Sequence, residues 1–255
     1  MASLLAYDKK VVRSGAVDWV VGVDEVGRGA LAGPVVAAAV AIPASVLPRL
    51  RHRSWSKLVD DSKRLNASRR ESIEAACEKP LLERVFFRGI GRAESTEIDA
   101  VNILQATREA MIRALRDLEK QASADGLILP VDGYVPGKSQ SMLWDWMDGP
   151  AANSQILIDG RPFRSFPYAH DGLVGGDGKS FCIALASIFA KVHRDRLMAA
   201  LPAARMFEWD TNKGYGTEAH RSLIRAHGLD SQHRLSFVAE DKWQDDPDGR
   251  QIECF

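Results

Sequence analysis

The 255 residues carry 34 basic and 34 acidic side chains, so a global cationic attraction to nucleic acid is excluded, and any polyanion must be met by a local patch. No apolar run approaches a membrane span, and residues 1–10 lack the long apolar core of a secretory signal. Cys77, Cys182 and Cys254 are too scattered for a disulfide framework or a zinc spacing; the first two read as small buried residues, and a reducing cytoplasm is the expected setting.

Residues 1–17 form an N-terminal segment. Residues 18–25 are an apolar, β-branched run that reads as a buried strand. The run ends in two adjacent carboxylates, Asp24 and Glu25, followed by the turn Gly27-Arg28-Gly29. Desolvated negative charge beside a core is costly unless something positive neutralises it. A divalent cation with oxygen ligands, Mg²⁺ or Mn²⁺, is the usual neutraliser. Strict alternation would send Asp24 and Glu25 to opposite faces; they can share a site where the backbone turns, which Gly27 permits. Gly27, Gly29 and Gly33 loosely match a dinucleotide-binding turn, but two acids at its mouth would repel a pyrophosphate.

A second strand follows over residues 35–43. The next segment is basic, with Arg49, Arg51, Arg53, Lys57, Lys63, Arg64, Arg69 and Arg70 opposed there by Asp60 and Asp61; such runs are usually solvated faces. Asn66 or Ser68 caps a helix to about Glu78, with Glu71 completing a capping box from Ser68. Residues 83–90 alternate as a third strand. Ser95 or Thr96 opens one long helix with an apolar stripe through Leu118. Two apolar runs, 127–131 and 156–158, read as strands ending in Asp132-Gly133 and Asp159-Gly160. Either aspartate qualifies as a further strand-end ligand; otherwise each is a plain Asp-Gly turn. Val174-Gly175-Gly176-Asp177-Gly178-Lys179-Ser180 leads into a helix from Phe181 to about Leu201. Asp177 there can also favour a helix N-terminus. Lys191 and Asp195 lie four apart on that helix and read as a mutual pair. Thr217 caps a last helix, residues 218–227, ended by Gly228. The tail beyond Glu240 is acidic.

Several of these stretches together resemble the ribonuclease HII family, type 2 ribonucleases H, over about residues 18–237. They are Asp24-Glu25-Val26-Gly27-Arg28-Gly29, Asp61-Ser62-Lys63-Arg64-Leu65, Asp159-Gly160, Gly176-Asp177-Gly178-Lys179-Ser180, Ala186 to Asp195, and Lys213-Gly214-Tyr215-Gly216. His233-Arg234 also matches, without a role to assign. The resemblance implies an α/β fold: a ribonuclease H-like mixed sheet flanked by helices, with a helical C-terminal extension. The expected division is a catalytic part at 18–201, an extension at 202–239 and an acidic tail at 240–255. In the family pattern a strand-end Asp-Gly is followed, after a short proline-containing loop, by Gly-Asp-x-Lys-Ser. That selects Asp159 and Asp177, leaves Asp132 as a turn and makes residues 132–153 an insertion carrying Trp144 and Trp146.

The resemblance implies that Asp24, Glu25, Asp159 and Asp177 are catalytic and hold Mn²⁺ or Mg²⁺. It implies that Gly27, Arg28 and Gly29 meet the ribose 2′-hydroxyl, that Lys63 lies near the phosphates, and that Tyr215 packs on the deoxyribose after the ribonucleotide. In the helix that follows, Ser187, Lys191 and Arg194 match the family stretch; it reads mainly as scaffold, with Lys191 facing phosphate. The expected substrates are RNA–DNA hybrids and duplex DNA containing ribonucleotides, cut by a monomer, with no membrane partner. Two rivals differ in class. A nuclease for DNA junctions or ends would not need the Gly-Arg-Gly and Lys-Gly-Tyr motifs. A non-catalytic binding module would be weakened by four acids facing phosphate.

Overall fold

The computed structural model describes residues 2–15, 17–131 and 153–238. Asp132, Trp144, Trp146, Cys254 and the acidic tail therefore lie outside the described residues. The elements in order are α1 (Ala2–Gly15), β1 (Trp19–Val26), β2 (Val35–Pro43), a one-turn α2 (Leu47–Leu50), α3 (Ala67–Leu82), β3 (Phe87–Ala93), α4 (Ser95–Val101), α5 (Ile103–Ala122), β4 (Ser154–Asp159), β5 (Asp171–Leu173), α6 (Phe181–Ala200), a one-turn α7 (Trp209–Asn212) and α8 (Glu218–His227).

The strands form one mixed sheet in the order β3-β2-β1-β4-β5. β1, β2 and β3 are antiparallel neighbours, while β4 runs parallel to β1 and to β5. The side chains of β2 alternate between two cores. Ala38, Val40 and Ile42 face the layer built on α6, and Ala37, Ala39 and Ala41 face the layer built on α5. Small residues let both helices close onto the sheet. A Cβ added at Gly22 would stand 2.3 Å from the Cys182 carbonyl carbon of α6, and one at Gly89 would stand 2.1 Å from the Ala114 oxygen of α5. A third apolar cluster joins the loop after β1 to the C-terminal part: Leu31 and Ala32 pack with Met198, Phe207, Trp209 and Ile224. Cys77 and Cys182 are buried, as their setting suggests.

Three expectations are corrected. The strand read at 83–90 begins only at Phe87, because α3 continues through Pro80 and Arg84 closes it in a left-handed conformation, φ 55°. The single helix from Ser95 is two helices. Asn102 breaks it with φ 71° and caps α5, its side chain accepting from Leu104 N (3.0 Å) and Gln105 N (3.1 Å). Residues 127–131 form no strand. Both edges of β4 are taken by β1 and β5, so this run packs Leu127 and Leu129 into the α5 core instead and keeps one bridge, from Val131 to Tyr168.

α1 adds to the expected elements; its Leu4, Leu5, Val11 and Val12 stand at helical spacing and pack toward one core. It buries Leu4 and Leu5 in the α6 layer. It also brings Asp8, fully buried, to the start of α6, where the carboxylate accepts from Cys182 N at 3.0 Å. That N–H is one of the helix-start donors with no partner inside the helix. Burial nevertheless raises the Asp8 carboxyl from 3.8 to about 6, against the hydrogen bonds that lower it. The folded state therefore favours the protonated acid: its contribution is complete below pH 3.8 and is lost as pH rises through about 6. Asp8→Asn keeps an acceptor without the charge. Its stability relative to the unmodified chain should improve by about 2 kcal/mol between pH 4 and pH 8, as read from urea unfolding at the two pH values. A pH-independent difference would refute this.

Candidate active site

The site forms where β1 and β4 part. Their parallel pairing ends at Val23↔Ile158, while β1 stays paired with β2 as far as Val26↔Val36. Asp24 and Asp159 are the next residues on the two strands and are therefore neighbours. By alternation Glu25 belongs on the α5 side of β1. With β4 gone at this level, its side chain reaches the same opening as Asp24. The shared site thus needs no turn at the acids themselves, only the loss of one flanking strand.

Asp177 comes from a single 3₁₀ turn, Gly176–Gly178, just before α6. That turn is fastened to β4: Asp159 Oδ1 accepts from Gly176 N at 2.6 Å. α6 adds Ser187 and Lys191, one turn apart. Ser187 Oγ lies 2.8 Å from Ser62 Oγ, which brings in the basic segment. The result is a cleft of about 410 Å³ lined by Asp24, Glu25, Gly27, Arg28, Gly29, Lys63, Asp159, Asp177 and Tyr215. All nine residues singled out from the sequence face this one space.

The cleft also contains Lys191, expected to face phosphate, and three residues without an expected role there: Ser62, Arg70 and Ser187. Ser62 lies inside a quoted motif, and Ser187 lies on the helix read mainly as scaffold. Arg70 had no local signal; it arrives from α3 and joins Asp195 at 3.8 Å. Asp195 pairs with Lys191 at 3.0 Å, as its spacing suggested, and does not line the cleft.

Electrostatically the acids are crowded. Burial and then the charges of Glu25 and Asp159 push the Asp24 carboxyl well up, opposed by a hydrogen bond from Ser187. Burial also raises Glu25, although Arg28 beside it pulls the other way. Asp159 is raised by burial and by Asp177, with the Gly176 N–H bond opposing. Two cations partly offset this charge: Arg28 Nη1 lies 3.1 Å from Glu25 Oε1, and Lys63 Nζ lies 3.0 Å from Asp177 Oδ2. The Asp177 contact raises Lys63 above its ordinary value. Among the described residues no three His, Cys, Asp or Glu side chains are gathered as a ready metal-binding group. The donor chemistry still fits a hard dication. The acids offer oxygen only, three of them are destabilised as anions, and their ion-pair partners are exposed side chains free to move.

The sequence matches a family model, Ribonuclease HII, over residues 21–141 and 151–240. The chain belongs to the ribonuclease HII family. It is accordingly a type 2 ribonuclease H, from a family of divalent-metal-dependent endonucleases of RNA–DNA hybrids. The ribonuclease HII of Syntrophobacter fumaroxidans is 41% identical over 236 residues, covering 92% of this chain and 82% of that one. That of Thermosynechococcus vestitus is also 41% identical, covering 86% and 83%. Among solved structures, ribonuclease H2 from Pyrococcus horikoshii superposes with a TM-score of 0.55 at 20% identity, covering 86% of this chain and 93% of that one. Bst ribonuclease HIII in complex with Mn²⁺ gives 0.57 at 20%, covering 88% and 68%. These structural likenesses bear on the mixed sheet and its flanking helices. Among the described residues no helix is long and apolar enough to cross a membrane.

The turn after β1 has two glycines with opposite demands. Gly27 holds φ +92°, and a Cβ there would fall 2.2 Å from Arg194 Nε; at Gly29 a Cβ would meet nothing within 4 Å. Gly27→Ala should therefore lose about 2 kcal/mol or more of stability. Gly29→Ala should stay within about 0.5 kcal/mol of the unmodified chain. Thermal denaturation of both variants checks this, and equal losses would refute it.

Proposed function

We propose that this enzyme cuts RNA–DNA hybrids and also incises duplex DNA on the 5′ side of an embedded ribonucleotide, leaving a 3′-hydroxyl and a 5′-phosphate. The observation that carries this reading is the convergence of four carboxylates with the Gly27-Arg28-Gly29 turn and Tyr215 in one cleft. Asp24, Glu25, Asp159 and Asp177 would hold Mn²⁺ or Mg²⁺. When bound, a pair of such ions supplies a hydroxide nucleophile at neutral pH and stabilises the leaving oxygen.

The chain's own residues do the rest. With the acids holding a dication, Lys63 would be free of Asp177 and would meet a phosphate as a point charge. Arg28 would likewise be free of Glu25 at the cleft mouth. Lys191 and Arg70 add positive charge on the α6 side. The turn offers backbone donors to the 2′-hydroxyl, the one group that separates ribose from deoxyribose. Tyr215 presents an aromatic face to the sugar that follows. Its ring has Lys191 Nζ and Arg194 Cζ each 5.5 Å from its centre, which limits its freedom to swing away.

Asp24→Asn and Asp159→Asn should each cut turnover about a hundredfold or more while leaving the melting temperature unchanged or higher. Removing a charge from a crowded acid cluster relieves repulsion. The measurement is cleavage of a duplex carrying one ribonucleotide, with and without Mg²⁺ or Mn²⁺. Near-normal turnover in either variant at working metal concentration would sink the assignment.

Tyr215→Ala should lose more kcat/KM on a single embedded ribonucleotide than on a continuous hybrid. In every productive complex of the former a deoxyribose follows the ribonucleotide, whereas at most sites in the latter a ribose does. Equal losses on the two substrates would return Tyr215 to ordinary packing.

A further inference from the structure

Arg234 is fully buried, and its side-chain hydrogen bonds all go to backbone carbonyls. Nη2 donates to Gly27 O at 2.7 Å, Nη1 to Arg28 O at 2.8 Å, and Nε and Nη2 to Gly33 O at 3.0 and 2.8 Å. Its own N–H donates to Leu31 O at 2.8 Å. One guanidinium thus grips both ends of the loop that contains Gly27-Arg28-Gly29. Planar peptide geometry gives this grip a consequence. The bonds here are trans, so each carbonyl points opposite to the N–H of the next residue. Drawing Gly27 O and Arg28 O inward to Arg234 turns the N–H groups of Arg28 and Gly29 outward. Both residues line the cleft, and no described residue accepts from either N–H.

We infer that Arg234 is a positioning residue for ribose selection: by holding the Gly27 and Arg28 carbonyls it aims the Arg28 and Gly29 amides at the 2′-oxygen of the substrate. This rests on the reading of the turn as the ribose-sensing element. Lysine cannot substitute, because a single ammonium lacks the fork that spans three carbonyls. Desolvation, reinforced by Arg194, pulls the Arg234 guanidinium down to about 9, with Asp99 opposing; a buried cation hydrogen-bonded to no carboxylate among the described residues is a costly choice for mere packing.

The test measures the Kd of two duplexes of one sequence, one all-DNA and one with a single ribonucleotide, with Ca²⁺ replacing Mg²⁺ or Mn²⁺ to suppress cleavage. The ratio of the two Kd values reports ribose selection and does not depend on the folded fraction. Arg234→Lys should shrink the ratio about tenfold, the worth of one well-aimed hydrogen bond, with all-DNA affinity unchanged. Leu115→Ala, a cavity in the α5 core, should lower the melting temperature and leave the ratio intact. Gly29→Ala, which has room within the protein, should also collapse the ratio. If Gly29→Ala preserves the ratio, the turn does not read ribose and the underlying reading fails. If Gly29→Ala collapses it and Arg234→Lys does not, the reading stands and the role of Arg234 is overturned. Hydrogen exchange on the unmodified enzyme serves even if Arg234→Lys does not fold. The Arg28 and Gly29 amides should exchange quickly when free and become protected by the ribonucleotide duplex only. Slow exchange in the free enzyme would overturn the outward orientation.

Discussion

Four carboxylates share the seam where β1 and β4 separate, and their mutual repulsion is the constraint around which this structure is arranged. Asp24 is 5% exposed and Asp177 3%, so neither can rely on water. The surroundings answer with dipoles and cations: the Gly176 and Gly178 N–H groups, the Ser187 hydroxyl, Lys63 and Arg28. The cations reach in from exposed side chains, not from the core. The site is therefore held together loosely enough for its charge balance to be exchanged, which suits a cleft that must admit dications and a polyanion.

A second device sits behind the cleft. Arg194 and Arg234 are buried guanidinia that spend their donors on main-chain carbonyls. Arg194 donates to Pro34 O, Ala32 O and Lys213 O at 2.8 to 3.0 Å. The loop after β1 is thereby bound to the segment carrying Tyr215, an attachment completed by Leu31 N to Gly214 O at 2.8 Å. A chain of rings extends it. His233 Nε2 lies 3.1 Å from His220 Nε2, which accepts from Trp209 Nε1, and His220 Nδ1 lies 3.0 Å from Tyr215 O. With Asp230 N donating to His233 Nδ1, both rings must be neutral, and burial lowers both from their ordinary value. The C-terminal helices thus act as the frame that fixes Tyr215 against the turn.

What was legible in the sequence was local. β1 and β2 follow from apolar β-branched runs, α8 from Thr217 and Gly228, and the start of α6 from the stretch ending in Ser180, because these signals act within a few residues. The family motifs chose Asp159, which the bare pattern left level with Asp132, and drew in Asp177, which by itself reads equally as a helix N-terminal acid. The docking of α1, the break at Asn102 and the fate of residues 127–131 were not legible. Each depends on which neighbour offers a surface or a free strand edge.

The sequence by itself determined that Asp24 and Glu25 sit at the end of a buried strand beside a glycine turn, a composition that demands a positive partner. Only the tertiary structure decided that both acids open to one cleft, because that follows from β4 leaving β1 after Val23. It alone brought Ser62 to Ser187, 125 positions apart, and Arg234 to Gly27, 207 apart. No local pattern encodes such pairs. They exist because a buried donor must find an acceptor, and the packing of α6 and the C-terminal segment decides which acceptor is within reach.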